Sequence, residues 1–130
     1  MTQEDKELLL KDLCARLPYG VMVFVKDYNE PCVVEAIYDN LDVQIKGCLC
    51  YNLAFECKPY LRPMSSMTEE EKIESLEFAW EDDYGRLASY EENIPKYIDW
   101  LNKKMFDYRG LIPKGLALEA LEGMYNINYE

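Results

Sequence analysis

Histidine is absent from this 130-residue chain. Without an imidazole there is no Ser-His-Asp or Cys-His nucleophilic site, no His-ligated zinc or haem, and no side chain whose ordinary pKa lies near neutrality. The sequence also lacks the phosphate-binding loops G-x-x-x-x-G-K and G-x-G-x-x-G, and the nucleophile motif G-x-S-x-G. These absences exclude many enzyme classes, and we expect no catalytic residue, no cofactor and no metal ion.

Long apolar runs and an export signal are missing as well. The longest apolar stretches, such as 21–25, have about five residues, whereas a membrane-spanning helix needs about 20. The first residues are acidic and polar, without a basic segment followed by an apolar one. Five cysteines in such a chain favour reduced thiols. We therefore predict a cytoplasmic protein with no membrane segment.

Basic residues are scarce, and the formal net charge is −11 at pH 7. Between residues 66 and 93, ten acidic residues stand against two basic ones, which gives −8. Such a surface repels a phosphate backbone, so we expect no direct nucleic-acid binding. The alternative is a merely solvated face. We define the predicted acidic face by six side chains: Glu70, Glu74, Glu77, Glu81, Asp82 and Asp83.

The length and an apolar fraction of 49% predict one folded domain over 1–130, of the α+β class. We predict a helix over 1–18, because Thr2 can cap it and Leu9, Leu13 and Leu17 recur at four-residue spacing. Leu10 and Cys14 extend the same apolar stripe. A Pro-Tyr-Gly sequence ends this helix.

Residues 21–57 predict an antiparallel meander of about four short strands, which could form a partly open barrel resembling an SH3-like barrel. The two prolines within 58–63 favour an extended connector that leaves the sheet. Residues 58–130 would then form the connector and a helical part. The predicted strands are 21–25, 32–38, 43–46 and 51–57.

Two C-terminal helices follow in the prediction. Thr68 and Glu71 form a capping box, and Ile73, Leu76 and Trp80 share one helical face that we expect to be buried. A loop or short helical turn over 81–93 leads to the second helix, which starts near residue 93 with a proline in its first turn. Residues 116–120 fit either a strand or a helical turn, and 125–130 a surface tail. The predicted core face of the second helix is Ile94, Ile98, Leu101 and Met105.

The cysteines allow a weak metal hypothesis. Cys48 and Cys50 form a C-x-C pair, and with Cys32 and Cys57 they could supply four thiolates for zinc. Their spacing differs from the paired C-x-x-C of zinc sites, so buried apolar cysteines are the favoured interpretation. The sequence leaves open whether the four lie together.

Two segments combine aromatic side chains with arginine, the residue types that dominate binding hot spots. The alternative is that they anchor irregular segments to the core. The candidate interaction residues are Tyr60, Arg62, Phe106, Tyr108 and Arg109.

Three strings are distinctive: KDLCARLPYGV at 11–21, KPYLRPMSSMTEEEK at 58–72 and DWLNKKMFDYRGLIPKGLALEA at 99–120. Through them, which cover 48 of the 130 residues, the chain resembles a family of short uncharacterised proteins from gut anaerobic bacteria and their phages. The resemblance implies an accessory protein, on a phage or mobile element, in a bacterial cytoplasm. It implies no activity and no functional residue.

Three functional hypotheses follow. The favoured one is a non-enzymatic accessory domain that binds an unknown protein partner. The alternative is an acidic inhibitor that mimics nucleic acid and occupies the binding groove of a host protein. An enzyme that uses carboxylates, tyrosine or cysteine without histidine is the least favoured. The sequence does not specify the oligomeric state.

Overall fold

The computed structural model describes residues 2–26, 28–38, 42–47, 51–53, 56–78 and 90–125. The α+β class is confirmed: an N-terminal helix, a mixed sheet and two further helices. Within the described ranges, no helix is long and apolar enough to cross a membrane. In chain order the elements are α1 (Gln3–Arg16), β1 (Met22–Val25), β2 (Cys32–Ile37), β3 (Asp42–Ile45), β4 (Tyr51–Leu53), β5 (Cys57–Leu61), α2 (Glu69–Ser75), α3 (Tyr90–Lys103) and β6 (Leu118–Glu119).

In the described part of the chain, the sheet has six strands in the order β4-β3-β2-β1-β5-β6. Strands β1 to β4 pair antiparallel in succession, and β5 returns antiparallel to β1. Strand β6 pairs parallel to β5, so the sheet is mixed and an all-antiparallel meander does not describe it. The SH3-like barrel stays a prediction.

Only the last part of the segment 58–63 leaves the sheet, because residues 58–61 belong to β5. This corrects the sequence prediction of an extended connector. Strand β5 includes Pro59, which lies opposite Val23 of β1. Pro59 is tolerated because it lies where the pairing changes: Cys57 to Pro59 face β1, and from Tyr60 onward the partner is β6. A missing N–H costs least at the end of a ladder.

Helix α1 begins as predicted, with a reciprocal capping box between Thr2 and Asp5. Its buried stripe is rotated from the predicted one. Leu9 and Leu13 are buried, but Cys14 is exposed. The buried side instead includes two charged residues, Asp12 and Arg16.

The core lies between α1, one face of the sheet and the segment that follows α3. Burial alternates along the strands: Val23 and Val25 of β1 are buried, while Phe24 between them is exposed. This period of two is that of a sheet with one covered face. The cluster also contains Leu9, Leu13, Val34, Val43, Ile45, Leu61, Met105, Leu111 and Leu116.

Helix α3 begins at Tyr90, earlier than predicted, so Pro95 lies inside the helix and not in its first turn. It ends in a Schellman motif: the N–H of Phe106 donates to Leu101 O, and that of Met105 to Asn102 O. Met105 occupies the left-handed position with φ 63°. Glycine is usual there, but the Met105 side chain is buried in the core.

The C-terminal segment is held to the sheet by side chains. The Asp107 carboxylate accepts hydrogen bonds from the N–H groups of Leu111 and Ile112, at 2.8 and 2.9 Å. Of the two structures that fit 116–120, the strand is correct, because β6 pairs with β5. Tyr125 is half-buried and attached to the sheet: its hydroxyl accepts from Met22 N at 2.9 Å and donates to Tyr60 O at 2.8 Å. Residues 126–130 lie outside the described part.

Candidate functional site: the outer face of α2

Helix α2 begins at the predicted capping box. The Thr68 hydroxyl accepts from Glu71 N at 3.1 Å, and the Glu71 carboxylate accepts from Thr68 N at 3.0 Å. The same carboxylate meets Arg62 in a bidentate pair, with Nη1–Oε2 and Nη2–Oε1 distances of 2.7 and 2.6 Å. Arg62 therefore attaches the start of α2 to the end of β5.

Arg62 is otherwise surrounded by the body of the protein. Its guanidinium lies 4.2 Å from the centre of the Phe106 ring, and its Nη2 donates to Ser66 O at 3.3 Å. Only 12% of its side chain is exposed. These contacts make Arg62 the junction of β5, α2 and the end of α3.

Glu71 is charged at all ordinary pH values. Burial by itself would raise its pKa, but the hydrogen bonds from Arg62 and Thr68 and the Arg62 charge outweigh burial and lower the pKa from 4.5 to about 2. A carboxylate, and not an apolar side chain, thus occupies the inner side of α2.

A second carboxylate of α2 also faces the protein. Glu74 Oε1 accepts from the Trp100 indole N–H at 3.0 Å and lies 3.8 Å from Lys104 Nζ. One turn further, the Phe78 ring lies 5.7 and 6.1 Å from the rings of Tyr97 and Trp100 on α3. One glutamate of α2 and one aromatic ring in the 3-10 turn that follows it therefore contact α3.

The apolar residues of α2 and of the start of the 3-10 turn that follows it (76–78) point the other way. Ile73 and Leu76 are 68% and 64% exposed, although the sequence predicts them in a buried face. The prediction is wrong because Glu71 and Glu74 take the inner side, which leaves positions 73 and 76 on the opposite side of the helix. Trp80, the third residue of that predicted face, lies outside the described residues. We call Ile73, Leu76 and the exposed Glu69 and Glu70 beside them the outer α2 face.

The acidic face predicted from the sequence is described only in part. Glu70 is exposed, and Glu74 is 47% exposed while contacting α3. Glu69, which the predicted set omits, has a side chain that is 86% exposed and pairs with Lys72 at 3.2 Å. The side chain of Glu77 and residues 81–83 lie outside the described part.

The other predicted interaction residues have partners inside the fold. Tyr60 and Phe106 are buried. Arg109 donates to Asp12 Oδ1 at 2.8 Å and lies over the Tyr108 ring, 4.6 Å from its centre. Tyr108 in turn donates its hydroxyl hydrogen to Asn102 Oδ1 at 2.9 Å. That these residues also contact a partner protein stays a prediction.

Among the described residues, two charged side chains that the sequence did not single out, Asp12 and Arg16, are fully buried. Arg16 is fully buried, with Nε 2.9 Å from Asp12 Oδ2 and Nη2 donating to Phe106 O at 2.7 Å. Within the described residues, Arg16 Nη1 has no hydrogen-bond partner. The i, i+4 spacing of Asp12 and Arg16 was the available signal, but the spacing cannot distinguish a buried pair from an exposed one.

The two described cysteines of the four-thiolate hypothesis are consistent with small buried side chains. Cys32 and Cys57 are buried, and burial, with Glu56 and Cys32 nearby, raises the pKa of the Cys57 thiol to about 11. Cys48 and Cys50 lie outside the described residues, so the four-thiolate hypothesis is untested. Among the residues that the structure describes, no group of three potential metal ligands occurs.

An open groove of about 680 Å³ lies beside the start of β2 and the end of β3. Its described lining includes two charged residues, Glu30 and Lys46, and both are exposed. Small-molecule sites usually present a few desolvated polar groups that converge on the ligand. The groove is therefore a weaker candidate than the outer α2 face.

Comparison with known proteins gives no relative from which a role can be transferred. No protein-family model, no curated protein and no solved structure matches the chain. The case for function therefore rests on the outer α2 face and the contacts that orient it.

Proposed function

We propose that this protein is a non-enzymatic interaction domain that binds another protein through the outer α2 face. The observation that carries the proposal is the orientation of α2, which buries the carboxylate of Glu71 and exposes the apolar side chains of Ile73 and Leu76. Exposed large apolar side chains that lie close together are a common mark of a binding surface.

The orientation of α2 is fixed by specific contacts. The bidentate Arg62–Glu71 pair and the Trp100–Glu74 hydrogen bond attach two successive turns of the helix. A rotation that buried Ile73 would have to break both. The exposed pair is therefore preorganised, which lowers the entropic cost of binding.

The resemblance to short proteins of gut anaerobic bacteria and their phages adds a cellular setting to this proposal. In that setting the chain is an accessory protein of a bacterium or its phage, in the cytoplasm. In such a setting the partner would be a host or phage protein. The acidic mimic of nucleic acid is the alternative, and the exposed carboxylates of Glu69 and Glu70 favour it. The acidic mimic would bind its target through charge alone and would not need Ile73 or Leu76.

Site-specific photocrosslinking in cells of the organism that carries the gene tests the proposal. A benzophenone amino acid replaces Leu76, and in a matched control it replaces Leu121, which is 57% exposed after β6. We expect one discrete adduct from position 76, suppressed by co-expressed unlabelled protein, and none from position 121. Absence of an adduct at 76, or the same adducts at both positions, would refute the proposed function.

A further inference from the structure

We propose that the partner surface is an amphipathic helix whose apolar side chains are bordered by Lys or Arg. This inference rests on the proposed function and names the chemistry of the partner. Its basis is the combination on the outer α2 face of an apolar pair with exposed carboxylates.

The apolar pair defines the centre of the surface. Ile73 and Leu76 are three residues apart, so their side chains are neighbours on the outer side of the helix. An apolar pair with this spacing matches the i, i+3 and i+4 anchors that helices use when they pack. A partner must therefore bring apolar side chains of its own.

The carboxylates define the border. Glu69 and Glu70 precede Ile73 by four and three residues, which places both beside it on the same side of α2. Lys72 is the one basic residue of α2, and it already pairs with Glu69 at 3.2 Å. The border is net acidic and is complementary to a basic one.

A second copy of the chain does not meet this requirement. Two molecules that met through this face would each bring the same net acidic border, in a chain with net charge −11. Like charges placed opposite each other oppose association. The occupant is therefore a different protein, with the opposite charge at its border.

Fluorescence anisotropy with designed peptides tests the inference on the full chain. The probe is a labelled amphipathic peptide of Leu and Lys, about 18 residues or five helical turns long. Two comparison peptides replace Lys by Glu or Leu by Ser. We expect the Leu/Lys peptide to bind at least about tenfold more tightly than either, because it alone has both features.

The chain provides a matched control surface at Leu121 and Glu122, an exposed apolar residue beside an exposed acidic one. We expect Leu76→Ser to weaken binding of the Leu/Lys peptide about tenfold and Leu121→Ser to leave it unchanged. Glu70→Lys should weaken binding and reduce its salt dependence, whereas Glu122→Lys should do neither.

The outcomes separate three possibilities. Equal effects at the α2 and control positions would mean non-specific attraction and would overturn the inference. Equal binding of the Ser/Lys and Leu/Lys peptides would also overturn it, in favour of the acidic mimic. Selective peptide binding without a cellular adduct at position 76 would keep the inference and refute the proposed function. A cellular adduct at position 76 without selectivity among the peptides would keep the proposed function and overturn the inference.

Discussion

Replacing Glu71 by glutamine removes one charge from the junction between β5 and α2. Glutamine keeps the length of the side chain and can still accept from Thr68 N, so the capping box survives. Arg62 loses its ionic partner while only 12% of its side chain is exposed. We expect Glu71→Gln to destabilise the protein through that unpaired charge.

The pKa of Glu71 gives the magnitude. Its fall from 4.5 to about 2 on folding corresponds to about 3 kcal/mol of stability at neutral pH. Solvent at the edge of the pair screens the charges, so we expect a loss of about 1–2 kcal/mol in the variant. Because the folded pKa is the lower one, this stability is present above pH 4.5 and is lost as the pH falls towards 2.

Urea denaturation at pH 7 and at stepwise lower pH measures both effects. The difference between wild type and Glu71→Gln should be largest at pH 7 and shrink between pH 4.5 and 2. Glu69→Gln is the matched control, since its side chain is 86% exposed, and it should change stability by less than about 0.5 kcal/mol. A Glu71→Gln variant as stable as wild type, or a difference that did not depend on pH, would refute the reasoning.

Three further substitutions test the C-terminal half, each by chemical denaturation. Met105→Gly relieves the left-handed backbone but deletes a buried side chain, so we expect a net loss of about 1–4 kcal/mol; a gain in stability would show that backbone strain dominates. Asp107→Ala leaves two N–H groups without their acceptor and should cost about 2–4 kcal/mol, and wild-type stability would contradict that role. Tyr125→Phe leaves Met22 N–H without its acceptor and should cost about 1–2 kcal/mol. Burial raises the pKa of Tyr125 above 10, so wild type but not Tyr125→Phe should lose that contribution as the pH rises past 10; parallel pH profiles would exclude it.

Local signals predicted the beginnings of α1 and α2. The predicted cap at Thr2 and the predicted capping box at Thr68 are confirmed, because each involves residues three apart whose geometry the backbone fixes. The apolar run at 21–25 likewise predicted strand β1. These features required no knowledge of which elements meet.

The outer α2 face could not be predicted, because its orientation depends on distant residues. Ile73 and Leu76 match the apolar periodicity of a buried face, and nothing within α2 indicates that Glu71 would take the inner side. That side is set by Arg62, nine positions earlier, and by Trp100, 26 positions after Glu74. A periodic pattern identifies a helix face but not what faces it.

The buried charges were missed for the same reason. Asp12 has no local feature that separates it from the exposed acidic residues of α1. Its burial follows from two arginines, one four residues away and the other 97 residues away. The order of the strands was equally hidden, since Pro59 argued locally against the pairing of β5 with β1.

The contacts between early and late segments of the chain, such as the pairing of Asp12 with Arg109, have a consequence for synthesis on the ribosome. Strand β1 and helix α1 emerge first, yet Arg16 needs the Phe106 carbonyl, and Tyr60 O awaits the Tyr125 hydroxyl. While only the first 60 residues are outside the exit tunnel, the charged side of α1 has no place to be buried. Productive folding must therefore wait until the segment through Tyr125 has been translated, and chaperones that hold nascent chains would have their longest opportunity on α1 and the first strands.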